Sequence, residues 1–160
     1  MKIRDFQLGD EPELHAVFRS AVRDLASKDY TPEQIEAWAP ASYDLELWAQ
    51  RMQGLRPFVV ESGGKLVAYA DVQSTGHIDH FFVSGAFARM GIGTLLMSRI
   101  HEAASVQRIS ILTSYVSRTA QPFFARFGFL VVEQRMPIIR GVTVPNAFMR
   151  REMTGNDSLR

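Results

Sequence analysis

The sequence predicts an α/β fold, more closely an α+β arrangement in which one mixed sheet carries helices packed on it. Three observations predict this. Two strand-like runs meet at Gly63 and Gly64, and a strand–helix–strand run spans residues 77–114. Helical periodicity then dominates the first 50 residues and returns after Gly91. A chain of 160 residues suits a single domain with one sizeable core, expected over residues 1–153, with 154–160 as a frayed tail.

Each element follows from local chemistry. KIRDFQL, residues 2–8, alternates Ile3, Phe6 and Leu8 as a first strand. Asp10 with Glu13 reads as a capping box, and Leu14, Val17, Phe18, Ala21, Val22 and Leu25 recur at helical spacing. Thr31, Pro32 and Gln34 open a second helix that Pro40 should end; residues 44–53 read as another short one. PFVVES and KLVAYADVQ form a hairpin, and HIDHFFV, residues 77–83, reads as a third consecutive strand. From Gly91 onward Ile92, Leu95, Leu96, Ile100, Ala103 and Ala104 form one apolar helix face. RISILTS, 108–114, returns as a strand parallel to 77–83, residues 119–127 form a short helix, and FLVVEQRM and VPNAFMRREM close antiparallel around Gly141.

Composition excludes several chemistries. Without cysteine there is no disulfide, thiolate metal site or cysteine nucleophile, which excludes a thioester enzyme intermediate and favours direct acyl transfer. No apolar run reaches the roughly 20 residues of a membrane span, and the N-terminus has no apolar stretch of signal type, so a cytoplasmic protein is expected. Charge is unevenly spread. Residues 1–79 carry 8 Lys and Arg against 13 Asp and Glu, a net −5, while residues 80–160 carry 10 against 4, a net +6. An anion suits the arginine-bearing stretch 80–126, and a cation suits the acidic stretch 29–50. Nucleic acid is a weaker reading of the basic half, since no recognised binding motif accompanies it.

The stretch VSGAFARMGIGTLL, residues 83–96, joins a strand to a helix through three glycines. At such a junction the first helical N–H groups lack partners and the helix dipole adds positive charge, which attracts anions. Gly91 and Gly93 remove side chains that would hold a phosphate away, and Arg89 adds a full charge at the rim. A P-loop is excluded because no lysine follows Gly93, and a dinucleotide fingerprint because Leu96 stands where a third glycine belongs.

This run resembles the acyl-CoA signature of the GCN5-related N-acetyltransferases, an Arg/Gln-x-x-Gly-x-Gly/Ala loop. SRTAQPFFARFGF, residues 117–129, is similar to the family's second signature, Asn-x-x-Ala-x-x-Phe-Tyr-x-x-x-Gly-Phe. KDYTPEQIEAWAP resembles a bacterial subgroup of the same family. The resemblance covers residues 2–153 and implies the family fold: strand, two helices, three strands, helix, strand, helix, two strands. It also implies acetyl-CoA as co-substrate, with no metal. The coenzyme would lie along Phe81, Phe82 and Val83, then Ala88, Arg89, Met90, Gly91, Ile92, Gly93 and Thr94, with Ser117 and Phe124 beside it. Ala88 departs from the Arg/Gln position, Ser117 from the Asn, and Phe124 from the Tyr that commonly protonates the departing thiolate.

The implied reaction moves an acetyl group to a primary amine of a small molecule or a peptide within a ternary complex. A lysine-type amine, with a pKa of ~10.4, must lose a proton before attack. Asp79, just before the bend, is the first candidate to receive or orient it. His80 enters if a bulge turns it to the same side; His77 shares the face of Asp79. A backbone N–H near Val83 would polarise the carbonyl, and Tyr115 is a substitute acid for the leaving group. Tyr30 and Trp38, beside the acidic run, are candidates to hold an alkylammonium, whereas Trp48 reads as core. His15 and His101 read as structural, and Phe123, Phe127 and Phe129 as core. A homodimer is left open. The rival function is an acyl-CoA-binding module without turnover.

Overall fold

The computed structural model describes residues 1–154; the remainder of the expected tail, 155–160, lies outside the described residues. β1 (Lys2–Asp5) leads to α1 (Glu11–Ser20). Asp10 occupies the N-cap position of α1 but makes no side-chain cap bond. Its carboxylate is held by Arg4 at 2.9 and 3.0 Å and accepts from the Gln7 N–H, while Glu13 accepts from the Leu66 N–H. The capping box expected there is absent, because the Asp10 carboxylate is spent on Arg4 and the Gln7 N–H and that of Glu13 on Leu66.

Beyond Ser20 the helix widens into a π turn, Ala21–Leu25, and tightens into a 3-10 turn, Ala26–Lys28. α2 (Pro32–Trp38) carries the predicted capping box of Thr31 and Gln34 with proline in its first turn. Asp44 caps α3 (Leu45–Leu55) by accepting from the Glu46 and Leu47 N–H groups. β2 (Phe58–Ser62) and β3 (Lys65–Ala70) form the expected hairpin, whose Gly63 and Gly64 lie at φ 59° and 79°, as a tight two-residue turn requires.

The run 77–83 is not one strand. β4 (His77–Ile78) pairs in parallel with β6 (Ile111–Ser117), and β5 (Phe81–Val83) pairs antiparallel with β3. α4 (Ile92–Val106) connects them and buries the predicted face, with Met97 added and Leu95 only partly covered. β6 starts three residues later than RISILTS implies. Arg108 turns left-handed at φ 57° and the Ile109 N–H bonds back to the Ala104 carbonyl, so these residues close α4 instead.

α5 (Gln121–Arg126) precedes β7 (Leu130–Arg135). A small hairpin that the sequence reading missed, β8 (Ile138–Ile139) and β9 (Val142–Thr143), turns at Arg140 and Gly141 before β10 (Asn146–Glu152). The strands form two four-stranded sheets, ordered β1-β2-β3-β5 and β4-β6-β10-β7. Leu96, Ile100, Leu112 and Phe129 belong to one apolar cluster, Leu14, Trp48 and Met52 to a second. Each such side chain contributes roughly 1.5–3 kcal/mol on burial. The two sheets part at Asp79 and His80, the only residues between β4 and β5.

Candidate active site

A buried carboxylate holds this parting open. Asp71, 1% exposed, accepts from the His80 N–H at 2.6 Å, the Asp79 N–H at 3.2 Å and the Gln73 amide at 2.8 Å. Burial pushes its pKa up, and those donors offset the shift only in part. Drawing two successive N–H groups to one carboxylate breaks strand alternation, so the side chains of Asp79 and His80 line the same cavity. On β5 the Asp71 N–H bonds to the His80 carbonyl and the Ser84 N–H to the Val67 carbonyl, at 3.1 and 2.9 Å. Antiparallel alternation then gives Phe82 the exchange with Tyr69 and turns the N–H groups of Phe81 and Val83 away from β3.

The cavity beside Asp79, about 320 Å³, is walled by aromatic rings that include Trp38, Tyr43, Trp48 and Phe82. Its charged groups are Arg51, Asp79 and Arg140. Arg51 and Asp79 pair at 2.9 Å. His80 is buried, its Nδ1 2.9 Å from the Tyr69 hydroxyl. Burial lowers its pKa from 6.5 to about 4, with Asp79 opposing and Arg51 assisting the shift, so the ring is neutral at pH 7. Tyr69, fully enclosed, stays protonated because burial raises its pKa well above 10.

His80 carries a stability consequence. With a depressed folded pKa, its contribution is complete above pH 6.5 and lost as pH falls through about 4. That displacement corresponds to roughly 3 kcal/mol. Urea unfolding between pH 7 and 4 is expected to show this decline, and His80→Gln to flatten it; an unchanged slope would contradict the buried neutral ring.

A second cavity, about 410 Å³, opens along β5. Phe81, Phe82 and Val83 form one wall, the loop from Phe87 to Thr94 supplies the rim, and the π turn adds Ala21, Val22 and Leu25. Gly91 is the left-handed N-cap of α4 at φ 81°, and Arg89 is also left-handed at φ 61°. A Cβ on Gly91 would meet nothing within 4 Å, whereas one on Gly93 would stand 3.0 Å from the Phe123 ring. Gly93 therefore accommodates Phe123 as well as opening the loop. Three cations, Lys28, Arg89 and Arg126, line this cavity and no acid does. Trp38, Phe82 and Ser117 line both cavities and mark where they adjoin.

A profile for the acetyltransferase (GNAT) domain matches residues 26–139. The chain is 33% identical over 150 residues to the N-acetyltransferase YafP of Escherichia coli K12, covering 94% of this chain and 95% of that protein. It belongs to the GNAT family. Accordingly it is an acetyl-CoA-dependent N-acetyltransferase. A GCN5-related N-acetyltransferase structure from Rhodopseudomonas palustris superposes with a TM-score of 0.90 at 28% identity, covering 95% of each chain. The fold is shared with the putative acetyltransferase yncA of Salmonella typhimurium, solved with acetyl-CoA, at a TM-score of 0.68 and 19% identity over 96% of this chain and 94% of that one.

Within this GNAT chain, the expected coenzyme residues Phe81, Phe82, Val83, Ala88, Arg89, Gly91, Gly93, Thr94 and Ser117 line the second cavity. Met90, Ile92 and Phe124 do not. Met90 points to solvent at 57% exposure, Ile92 faces the core as the first apolar contact of α4, and Phe124 packs on Phe81 and Phe129. Phe123, read from the sequence as core, is the ring that reaches the cavity. Tyr115, the expected substitute acid, lines the cavity of Asp79 and not the second one, with the Arg135 guanidinium 4.3 Å from its ring centroid.

His77 is held by Thr113, 2.9 Å from its hydroxyl, and lines neither cavity. Tyr30 and Trp38 do line the first cavity, though the Tyr30 hydroxyl is occupied, donating to the Pro145 carbonyl and accepting from the Arg118 N–H. Trp48 is core as read, its indole N–H bonded to the Glu11 carbonyl. The acidic run does not face either cavity: Asp29 bonds Thr119, Glu36 pairs with Arg23, and Asp44 caps α3. Lys28, Arg126, Arg51, Arg140 and Asn146 were missed. A cation preference read from local charge therefore does not carry to the cavity. Among the described residues no helix is long and apolar enough to cross a membrane, and no cluster of metal-binding side chains occurs.

Proposed function

We propose that acetyl-CoA occupies the cavity of Gly91 and the acceptor amine that of Asp79, and that acetyl passes between them at Trp38, Phe82 and Ser117. The residues fit the coenzyme. Lys28, Arg89 and Arg126 complement its phosphates without an opposing acid, and the free N–H groups of the first turn of α4 face anions. The coenzyme supplies an acetyl group activated as a thioester.

The N–H of Val83, turned away from β3, stabilises negative charge developing on the carbonyl oxygen. Asp79, whose side chain is part-exposed, orients the amine and relays its proton through water to solvent, while His80, buried and bonded to the Tyr69 hydroxyl, is shut off from that path. Two arginines against one carboxylate disfavour a bare ammonium, so the neutral amine, the attacking form, is favoured in the cavity. A thiol pKa of ~8.5 lets thiolate leave with little help, consistent with Phe124 in place of tyrosine. The Ser117 hydroxyl lies where it can donate to it.

The adjoining of the two cavities carries this reading. Calorimetric titration should give saturable acetyl-CoA binding, and free CoA should appear only with an amine present. Binding without release across an amine panel would make the chain an acyl-CoA-binding module instead. Asp79→Asn is expected to lower kcat/KM for the amine by ~100-fold at neutral pH, with partial recovery as alkaline pH frees the amine. An equal loss at every pH assigns Asp79 to positioning alone.

A further inference from the structure

Resting on this transferase reading, we infer that the acceptor is an amine bearing an acidic group, a free amino acid with an apolar or aromatic body. Two side chains of the Asp79 cavity point there first. Arg140, at the turn between β8 and β9, lies over the Tyr43 ring at 5.5 Å and gives one donor to the Ala37 carbonyl. It forms no ion pair among the described residues, unlike Arg51, which is committed to Asp79. Asn146 presents a side-chain oxygen that is buried and has no donor among the described residues. Buried acceptors are rarely left so, and this one calls for an N–H.

The placement of the two is asymmetric. Asn146 stands opposite Ser117 in the β10–β6 register, beside the junction with the coenzyme cavity. Arg140 sits on the separate β8–β9 hairpin. A molecule with its amine between Asp79 and Asn146 and its carboxylate toward Arg140 satisfies both. With His80 neutral, Arg51, Arg140 and Asp79 leave the cavity net positive, which repels a simple alkylammonium and accepts an amine that brings its own carboxylate. The aromatic walls favour an apolar body over a hydrophilic one. A cavity of about 320 Å³ is at the small end for ligand sites, which suits one amino acid better than a peptide.

Matched probes test this: phenylalanine, phenylalanine amide and phenethylamine, and leucine, leucine amide and isoamylamine. The chain has two tryptophans, Trp38 and Trp48, and both line this cavity, so their fluorescence reports binding without turnover. Titrations are made with acetyl-CoA saturating, and CoA release is followed separately. The expected result is that each acid binds at least tenfold tighter than its amide and its decarboxylated amine. Arg140→Gln should erase that ratio and Arg140→Lys restore part of it, with acetyl-CoA affinity unchanged and the protein still folded, its melting temperature lowered only by the lost bond to Ala37. Amides or amines binding as tightly as acids, a ratio that survives Arg140→Gln, or no acid binding at millimolar concentration would each overturn the inference. Acetylation of the amines but not the acids overturns it while leaving the transferase reading intact. Acids that bind without any CoA release overturn the transferase reading and support the site.

Discussion

Gly91→Asp is expected to weaken acetyl-CoA binding by at least ~100-fold, about 2.7 kcal/mol, while the protein stays folded. Gly91 is the N-cap of α4, and a Cβ there meets nothing within 4 Å, so no core contact is disturbed. The backbone cost is that of a side chain at φ 81°, roughly 1–2 kcal/mol, and aspartate tolerates this region better than most residues. The loss of affinity has two sources that act together. An N-cap carboxylate accepts the N–H groups of the first helical turn, the donors left for the coenzyme phosphates, and it adds negative charge where they would sit. Gly91→Ala separates strain from charge, since it shares the φ penalty but leaves the donors free. Calorimetry on both variants, with melting temperatures as the control for folding, checks the result. Equal affinity in the wild type and Gly91→Asp would remove the phosphates from this loop.

What was legible in the sequence is what local rules govern. The glycines of the 83–96 loop stand out because a strand-to-helix junction needs bare backbone, and the Thr31–Gln34 box because capping is a contact within one turn. The cations around the same loop were not legible. Lys28 comes from the 3-10 turn after α1 and Arg126 from the end of α5, and only the packed fold brings them to Arg89. Helix phase decided the aromatic pair in α5. Phe123 and Phe127 are four residues apart and meet edge-to-face at 4.9 Å, so they share a face with Phe123 at the cavity, while Phe124 turns into the core. The acceptor cavity was the least legible part. Its arginines come from α3 and from a hairpin too short to give a periodic signal, and the acidic run that pointed to a cation is spent on caps and surface pairs.

One residue did leave a signal, an acid inside the otherwise apolar run VAYADV, and its removal tests how the catalytic side chains are aimed. Asp71→Ala is expected to cost about 2–4 kcal/mol of stability and most of the turnover. It strips the acceptor from the His80 and Asp79 N–H groups and from the Gln73 amide, and a donor left unpaired in a buried place costs roughly 1–3 kcal/mol. Relief of the burial penalty on the carboxylate itself offsets part of this. Asp71→Asn keeps one oxygen for those donors but turns an NH2 toward the others, so it should fall between. The loss of turnover follows from alternation: without the carboxylate, residues 79 and 80 relax toward a regular strand and their side chains part to opposite faces. The coenzyme loop begins beyond β5 and does not depend on Asp71, so acetyl-CoA affinity should hold while kcat falls. The pH dependence adds an independent mark. Because the folded pKa of Asp71 is raised, its contribution is complete below 3.8 and lost as pH rises through the folded value, opposite in sense to His80. Urea unfolding across the acid range should therefore lose that rising-pH penalty in Asp71→Asn. A variant that kept wild-type kcat would show that the parting of the sheets is held by the strands themselves and not by this carboxylate.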